Sequence, residues 1–178
     1  MNSTRTINLK HRPQGKPELS DFEFTTTEVA QPEEGQVLLE SKYVSVDPYL
    51  RGRMNDAPSY VPPFELGEPI SSGIIAEVVE SKDGKFSKGD FVTGMLEWKE
   101  TQVAKGKGLM KVDPEKASLS AYLGILGLTG LTAYHGLMEI GKPQKGETLI
   151  VSGAAGAVGS VVGQIGKILG MHVVGIAG

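Results

Sequence analysis

The sequence contains no cysteine in its 178 residues. Disulfide bridges, zinc sites built from thiolates and a cysteine nucleophile are therefore excluded, and the composition fits a reducing cytoplasm. No apolar run approaches the roughly 20 residues of a membrane span, and the N-terminal segment MNSTRTINLKHRPQGKPE lacks the apolar centre of a signal peptide. A basic stripe is also missing, since the formal net charge is −3 and both signs are interspersed. These absences predict a soluble cytoplasmic protein that binds neither nucleic acid nor membrane.

The chain up to about Asp113 reads as β-rich. Turn signals such as PEEG, KDGK and SKGD separate segments that carry the alternation of half-buried strands. Short strands with regular turns predict a small barrel or a partly open sandwich. The predicted strands are Arg5–Lys10, Phe22–Glu28, Gln36–Val46, Pro69–Ser81, Phe91–Leu96 and Glu100–Ala104.

The pattern changes after Ser118, where apolar residues recur at helical spacing. Glycines weaken one continuous helix there, so we expect two helical pieces joined near Gly127–Gly130. The short apolar run Thr148–Val151 is typical of a parallel strand buried on both faces. A helix over Gly156–Leu169 and a second strand over Met171–Ala177 complete a predicted βαβ unit.

The stretch VSGAAGAVGS joins the first of these strands to the helix. It places Gly153, Gly156 and Gly159 where a dinucleotide-binding fold brings main-chain N–H groups close to a pyrophosphate. The alternative is a tight turn in an unrelated α/β domain, and Ala155 loosens the match to the G-x-G-x-x-G pattern. Gly159 and Gly163, four residues apart, are expected to let the helix pack closely on the sheet.

An NAD-selective site carries an acidic residue about twenty positions after the glycines, which binds the adenosine ribose. The corresponding stretch, residues 175–178, contains no acid. A carboxylate there would repel a 2′-phosphate, so the stretch permits NADP and favours NADPH without settling the choice.

Four segments together resemble the medium-chain dehydrogenase/reductase superfamily: VSVDPYLRGRM, KGDFVTG, GLTGLTAYHGL and GETLIVSGAAGAVGSVVGQIGKILG. The branch that they resemble is the zinc-free, NADP-dependent alkenal/enone reductases. The resemblance implies an α/β protein in which a β-rich GroES-like domain (1–118) precedes a linker helix and an incomplete Rossmann domain (119–178). It covers only about the first half of a normal member, so we expect a truncated or partial product of a longer protein.

The resemblance also implies that no metal is bound. Ser45 and Val46 stand where zinc-containing relatives place a catalytic cysteine, and Gly67-Glu68-Pro69 is similar to their Gly-His-Glu without its histidine. The three histidines of the chain are not spaced as a ligand set. No metal ligand is therefore assigned.

Site residues follow from the resemblance alone. Tyr49 and Tyr60 are candidates for the substrate pocket, although Tyr49 also suits a packing aromatic. Arg51 is expected to orient the loop through Asp47 or another carboxylate, the alternative being a surface arginine. Thr132 is expected to contact the cofactor or to bond back to a helical carbonyl. The residues assigned to the cofactor are Pro48, Leu128, Thr132, Ala155, Gly156, Ala157, Val158, Gly159 and Gly178.

The implied activity is zinc-independent reduction of the C=C bond of α,β-unsaturated ketones and aldehydes by hydride from NADPH. No catalytic residue is assigned within this chain, because the family tyrosine that helps to polarise the carbonyl belongs to the other half. The chain alone is expected to be inactive, and the full-length protein is expected to allow a homodimer. A quinone reductase of the same superfamily and a non-catalytic NADP(H)-binding protein stay open as alternatives.

Overall fold

The structure is a computed structural model that describes residues 3–178. The chain forms two compact units, of which the first extends to Lys116 and the second is Ala117–Gly178. The predicted assignment of residues 1–118 to a substrate domain and of 119–178 to a cofactor domain stays a prediction.

The first unit is a β-structure, as the sequence predicted. All its strand pairings are antiparallel: β1 pairs with β2, and five strands form a sheet in the order β6-β3-β4-β5-β7. Isolated bridges join Thr6 to Lys99 and Asn8 to Pro69. The strands are β1 (Ser3–Leu9), β2 (Phe22–Glu28), β3 (Gln36–Val44), β4 (Ser71–Ser81), β5 (Phe91–Glu97), β6 (Thr101–Lys105) and β7 (Met110–Val112).

Strand β4 is the centre of this sheet because β3 and β5 cover its two edges. Its β-branched residues suit a pleated surface, and Ile74 and Val78 are fully buried with Val37 of β3 and Val92 of β5. Burial of each such side chain contributes about 1.5–3 kcal/mol. Gly89 turns the chain between β4 and β5 with a φ of 88°, a conformation that a glycine adopts without strain.

A second apolar cluster fixes the segment between β3 and β4. It consists of Leu9, Leu50, Met54, Phe64 and Ile70, with Tyr49 and Trp98 among the half-buried residues against it. Leu50 lies in a short helix, α1 (Pro48–Arg53), and Met54 follows this helix directly. The sequence predicted only a turn here. Proline suits the first position of a helix, because its fixed φ is helical and its missing N–H would have no partner there.

The second unit contains the predicted βαβ arrangement. Strands β8 (Thr148–Ser152) and β9 (His172–Ile176) pair in parallel, and helix α3 (Gly159–Ile168) connects them. Before them come a 3₁₀ helix (Leu119–Leu123), helix α2 (Leu128–Tyr134) and a π-helix (His135–Gly141). The predicted break between two helical pieces is confirmed, since α2 begins at Leu128.

Close packing of α3 on the sheet depends on Gly166 and not on the predicted Gly163. A Cβ added at Gly166 would lie 2.6 Å from Cδ2 of Leu149 and 3.1 Å from Cγ2 of Val173, whereas one at Gly163 would lie in ordinary contact, 3.7 Å from Val173. Gly159 faces the carbonyl group of Gly153 in the preceding turn. The prediction was wrong at Gly163 because the helix approaches Leu149 and Val173 most closely at Gly166, three residues further along.

Candidate functional site

The glycine-rich turn between β8 and α3 is tight. Gly153 has a φ of 61°, in the left-handed region that favours glycine. The N–H of Gly156 donates to the carbonyl oxygen of Gly153 at 2.9 Å. The N–H of Ala154 donates to the carbonyl oxygen of Ile176 at 3.0 Å, which ties the turn to the end of β9. These two hydrogen bonds fix the first part of the turn, residues 153–156.

Several main-chain N–H groups of this turn have no protein partner. Within residues 3–178, no acceptor receives a hydrogen bond from the amides of Ala155, Ala157, Val158 or Gly159. Ala155 and Ala157 are exposed, and neither side chain extends beyond a methyl group. Unpaired amides that precede and begin a helix are the usual donors to phosphate oxygens.

Two glycines allow the tight course of this turn. A Cβ added at Gly159 would overlap the carbonyl oxygen of Gly153 and lie 3.0 Å from Cα of Ala154. A Cβ added at Gly156 would lie 3.1 Å from the same carbonyl oxygen. A side chain at Gly159 would therefore collide with the main chain, and one at Gly156 would be tightly packed, so glycine suits both positions of a turn that offers donors to a pyrophosphate.

The end of β9 bears on the choice of cofactor. Within residues 175–178, Gly175 pairs with Val151 and Ile176 with Ser152, and Gly178 is exposed. No carboxylate lies in this stretch, so nothing in it opposes a 2′-phosphate.

Leu128 and Thr132 lie one helical turn apart on α2. Leu128, the first residue of the helix, is 66% exposed. The hydroxyl of Thr132 donates to the carbonyl oxygen of Leu128 at 2.7 Å. Of the two predicted partners of Thr132, the structure therefore shows the helical carbonyl.

Tyr49 lies on α1, beside the exposed Pro48 that begins the helix. Its half-buried ring packs against the cluster around Leu50. Burial raises the pKa of the Tyr49 hydroxyl; the charge of Asp47 adds to this shift, Arg53 opposes it and Tyr60 adds to it. The phenol therefore stays protonated at neutral pH and is able to donate a hydrogen bond.

Arg51 does not pair with Asp47, which corrects the prediction. Its Nε donates to the carbonyl oxygen of Gly15 and its Nη2 to that of Pro13, both at 2.9 Å, and Nη1 donates to Oδ1 of Asn55 at 2.6 Å. Asp47 instead accepts a hydrogen bond from the hydroxyl of Ser45. Two carbonyl oxygens of the N-terminal loop thus occupy separate N–H donors of the planar guanidinium.

Tyr60 belongs to the irregular segment between α1 and β4 and is 86% exposed. Arg53 holds this segment, although no role was predicted for it from the sequence. Its Nε donates to the carbonyl oxygen of Pro62 at 3.0 Å, and its guanidinium carbon lies 3.9 Å from the centre of the Phe64 ring. The feature of the sequence that could have indicated this role is the pair of arginines in Arg51-Gly52-Arg53.

Residues 3–178 contain no group of three or more His, Cys, Asp or Glu side chains that could hold a metal ion. The zinc-free reaction stays a prediction. No helix in this range has the length and the apolar character needed to cross a bilayer.

Sequence comparison finds close relatives. The chain is 57% identical over 176 residues to YfmJ of Bacillus subtilis (strain 168), which is named as an NADP-dependent oxidoreductase. It is 46% identical over 170 residues to the NADPH-dependent curcumin reductase of Escherichia coli (strain K12), and 44% identical over 181 residues to the NADP(+)-dependent 2-alkenal reductase of Nicotiana tabacum. These matches include 99%, 96% and 99% of this chain but 52%, 49% and 53% of the relatives. The chain thus spans about half the length of the curated relatives that it matches.

Structure comparison gives the same picture. CurA from Vibrio vulnificus, solved in complex with NADPH, superposes with a TM-score of 0.89 and 43% identity, over 98% of this chain and 52% of CurA. Residues 5–112 match the family described as the N-terminal domain of oxidoreductase, which is more than half of the chain. The chain therefore belongs to this oxidoreductase family, whose relatives include the NADP-dependent curcumin, 2-alkenal and prostaglandin reductases.

Proposed function

We propose that the protein carrying this chain reduces the C=C bond of α,β-unsaturated ketones and aldehydes with NADPH and without a metal ion. The observation that carries the proposal is the turn at residues 153–159, whose unpaired main-chain amides and three glycines suit a dinucleotide. Conjugated carbonyl compounds as the substrate class are supported by the names of two relatives, curcumin reductase and 2-alkenal reductase.

In this proposal, the amides of Ala155, Ala157, Val158 and Gly159 hold the pyrophosphate, and Gly156 lets it approach. When bound, NADPH supplies the hydride for the substrate. The other residues assigned to the cofactor are Pro48, Leu128, Thr132 and Gly178. The choice of NADPH over NADH is supported by the lack of a carboxylate in residues 175–178.

Tyr49 is proposed to orient the substrate, with Tyr60 beside it. The ring of Tyr49 offers an apolar surface on which a conjugated system can stack. Its hydroxyl carries a proton at neutral pH because its pKa is raised, chiefly by burial. Arg51 acts indirectly in this scheme, since its side chain is engaged with the carbonyl oxygens of Pro13 and Gly15.

The experiment follows the oxidation of NADPH by the protein carrying this chain, with enones, enals, quinones and simple ketones as substrates. Enones and enals are expected to be reduced fastest. A preference for quinones would replace the proposal with a quinone reductase, and NADPH binding without turnover would indicate a non-catalytic protein.

A variant tests the cofactor turn separately. Gly156→Val places two further methyl groups next to the carbonyl oxygen of Gly153, already 3.1 Å from an added Cβ. It is expected to raise the NADPH dissociation constant at least tenfold, roughly the loss of one hydrogen bond to a charged group. Gly163→Ala, in the same unit, is the matched control and is expected to leave the dissociation constant unchanged. Unchanged NADPH affinity in Gly156→Val would refute this binding site.

A cytoplasmic location belongs to the same proposal. It is supported by a cysteine-free composition, which suits a compartment where thiols stay reduced. The homodimer of the full-length protein stays a prediction.

A further inference from the structure

The segment that follows α1 is pinned where it begins. The side chain of Asn55 accepts a hydrogen bond from Arg51 at 2.6 Å. Nη1 of Arg12 donates to the carbonyl oxygen of Met54 at 3.1 Å, and Arg12 also lies 4.0 Å from the carboxylate of Asp56. Two arginines from different parts of the chain thus fix the first residues after the helix.

A second set of contacts, made by Arg53 to Pro62 and Phe64, fixes the same segment a few residues later. We term these contacts the second pin, and those of Arg51 and Arg12 the first pin. The Nε of Arg53 donates to the carbonyl oxygen of Pro62, its guanidinium stacks on Phe64, and its own carbonyl oxygen accepts the N–H of Phe64 at 2.7 Å. The ring of Phe64 is only 4% exposed and belongs to the same apolar cluster as Leu50. The second pin is therefore attached to the core.

Between the two pins lie residues 57–61, the sequence APSYV, which we term the arch. In the described part of the chain, no hydrogen bond connects the arch to other residues. Tyr60 projects from it with 86% of its surface exposed, so its position depends on how the two ends are held. Tyr60 is close enough to Tyr49 to contribute to the raised pKa of the Tyr49 hydroxyl.

We propose that Arg53 is a positioning residue, which holds the arch and so fixes the position of Tyr60 relative to α1, and thereby sets the affinity for the substrate. This inference rests on the proposed function, because it assigns a substrate to the Tyr49 side of α1. Arg53 acts through Tyr60 and makes no contact with the substrate itself.

Arginine suits this position for a physical reason. Its planar guanidinium presents N–H donors at its edge and a stacking surface on its face, so one group binds Pro62 and covers Phe64 together. Lysine has a point charge without a fixed plane and would retain only the attraction to the ring. Methionine would retain only the apolar stem. The series Arg, Lys, Met therefore removes the side-chain contacts of Arg53 in two steps, while the main-chain bond from Phe64 stays.

The first experiment measures steady-state kinetics with a bulky enone in the protein carrying this chain. Arg53→Met is expected to raise KM about tenfold and to leave kcat within about twofold, with Arg53→Lys between Met and wild type. Arg5→Met is the control, since the side chain of Arg5 is 77% exposed and its ion pair with Glu100 lies on the surface. It is expected to leave both constants unchanged.

A double-mutant cycle shows whether Arg53 acts through Tyr60. Tyr60→Ala alone is expected to raise KM, and Arg53→Met added to it is expected to cause no further rise. Additive effects of the two substitutions would overturn the proposal, because Arg53 would then act independently of the arch.

The second experiment needs no turnover. Chymotrypsin cleavage after Tyr60, followed by mass spectrometry, reports how firmly the arch is held. Arg53→Met is expected to raise the cleavage rate about tenfold, and Arg5→Met to leave it unchanged. An unchanged KM or an unchanged cleavage rate in Arg53→Met overturns the proposal. If the unmodified protein reduces no enone, the proposed function fails, while the cleavage rates still decide whether Arg53 holds the arch.

Discussion

Gly159 and Gly163 lie four residues apart on the same helix, and substitution of each by alanine is expected to have opposite effects. At Gly159, an added Cβ would overlap the carbonyl oxygen of Gly153, with the carbonyl carbon at 2.9 Å and Cα of Ala154 at 3.0 Å. All three neighbours are main-chain atoms, so no side-chain rotation relieves the overlap. The turn itself must move by several tenths of an ångström to about 1 Å.

The sizes of two opposing effects, overpacking and helix propensity, decide whether each variant is less or more stable than wild type. Overpacking of this kind costs about 1–3 kcal/mol, whereas replacing a helical glycine with alanine gains at most about 1 kcal/mol. Gly159→Ala is therefore expected to lose about 1–2 kcal/mol of unfolding free energy. At Gly163 the nearest atom would be Cγ1 of Val173 at 3.7 Å, an ordinary contact. Gly163→Ala is expected to gain about 0.5–1 kcal/mol.

Two assays check this reasoning on the protein carrying this chain. Chemical denaturation measures the free energy of unfolding of both variants, and calorimetry measures NADPH binding. Movement of the turn displaces the amide of residue 159, so Gly159→Ala is expected to raise the NADPH dissociation constant about tenfold or more. Equal stability of the two variants would contradict the assigned overlap, and unchanged NADPH affinity in Gly159→Ala would contradict the role of this amide.

Two further substitutions test other parts of the structure. Gly130→Ala places a Cβ over the carbonyl oxygen of Ile125 and 2.9 Å from its Cα, so it is expected to destabilise the protein by roughly 2–3 kcal/mol in chemical denaturation; Gly136→Ala, with no atom within 4 Å of the added Cβ, should not. The hydrogen bond from Lys111 lowers the pKa of Asp90, so this pair stabilises the folded state above the unfolded pKa of about 3.9 and loses its effect as pH falls through the lower folded value. Lys111→Met is therefore expected to be less stable than wild type at pH 6, with the difference shrinking towards pH 3 in denaturation experiments, and a difference that grows in acid would contradict this.

The strands were predictable where an alternation of apolar and polar residues is bounded by turn signals. Strand β2 was predicted with its observed bounds, and β3 extends over all but the last two of the predicted residues. Strand β7 was missed because three residues, Met110–Val112, carry no periodicity. It exists because Val112 pairs with Phe91 of β5, a contact that only the folded sheet provides. Helix α1 was missed for a related reason: six residues that include Gly52 give no helical pattern.

The candidate site likewise has one part that was predictable from the sequence and one part that was not. The turn at residues 153–159 is a local structure, so its glycines and flanking elements identify it in the sequence. The contacts of Arg53 depend on the course of an irregular loop that returns Pro62 and Phe64 to the helix. No spacing rule encodes such a return. The incorrect pairing of Arg51 with Asp47 has the same origin, because two of its three partners lie 36 and 38 residues away along the chain.

The arginines around α1 share one property that bears on how this protein can change. Arg12, Arg51 and Arg53 bind main-chain oxygens of Met54, Gly15, Pro13 and Pro62. Every amino acid has that oxygen, so substitutions at the receiving positions keep the acceptor. Side chains of the exposed loop can therefore be exchanged while the main chain keeps its course. Ligand preference can change in this way without a change of the fold.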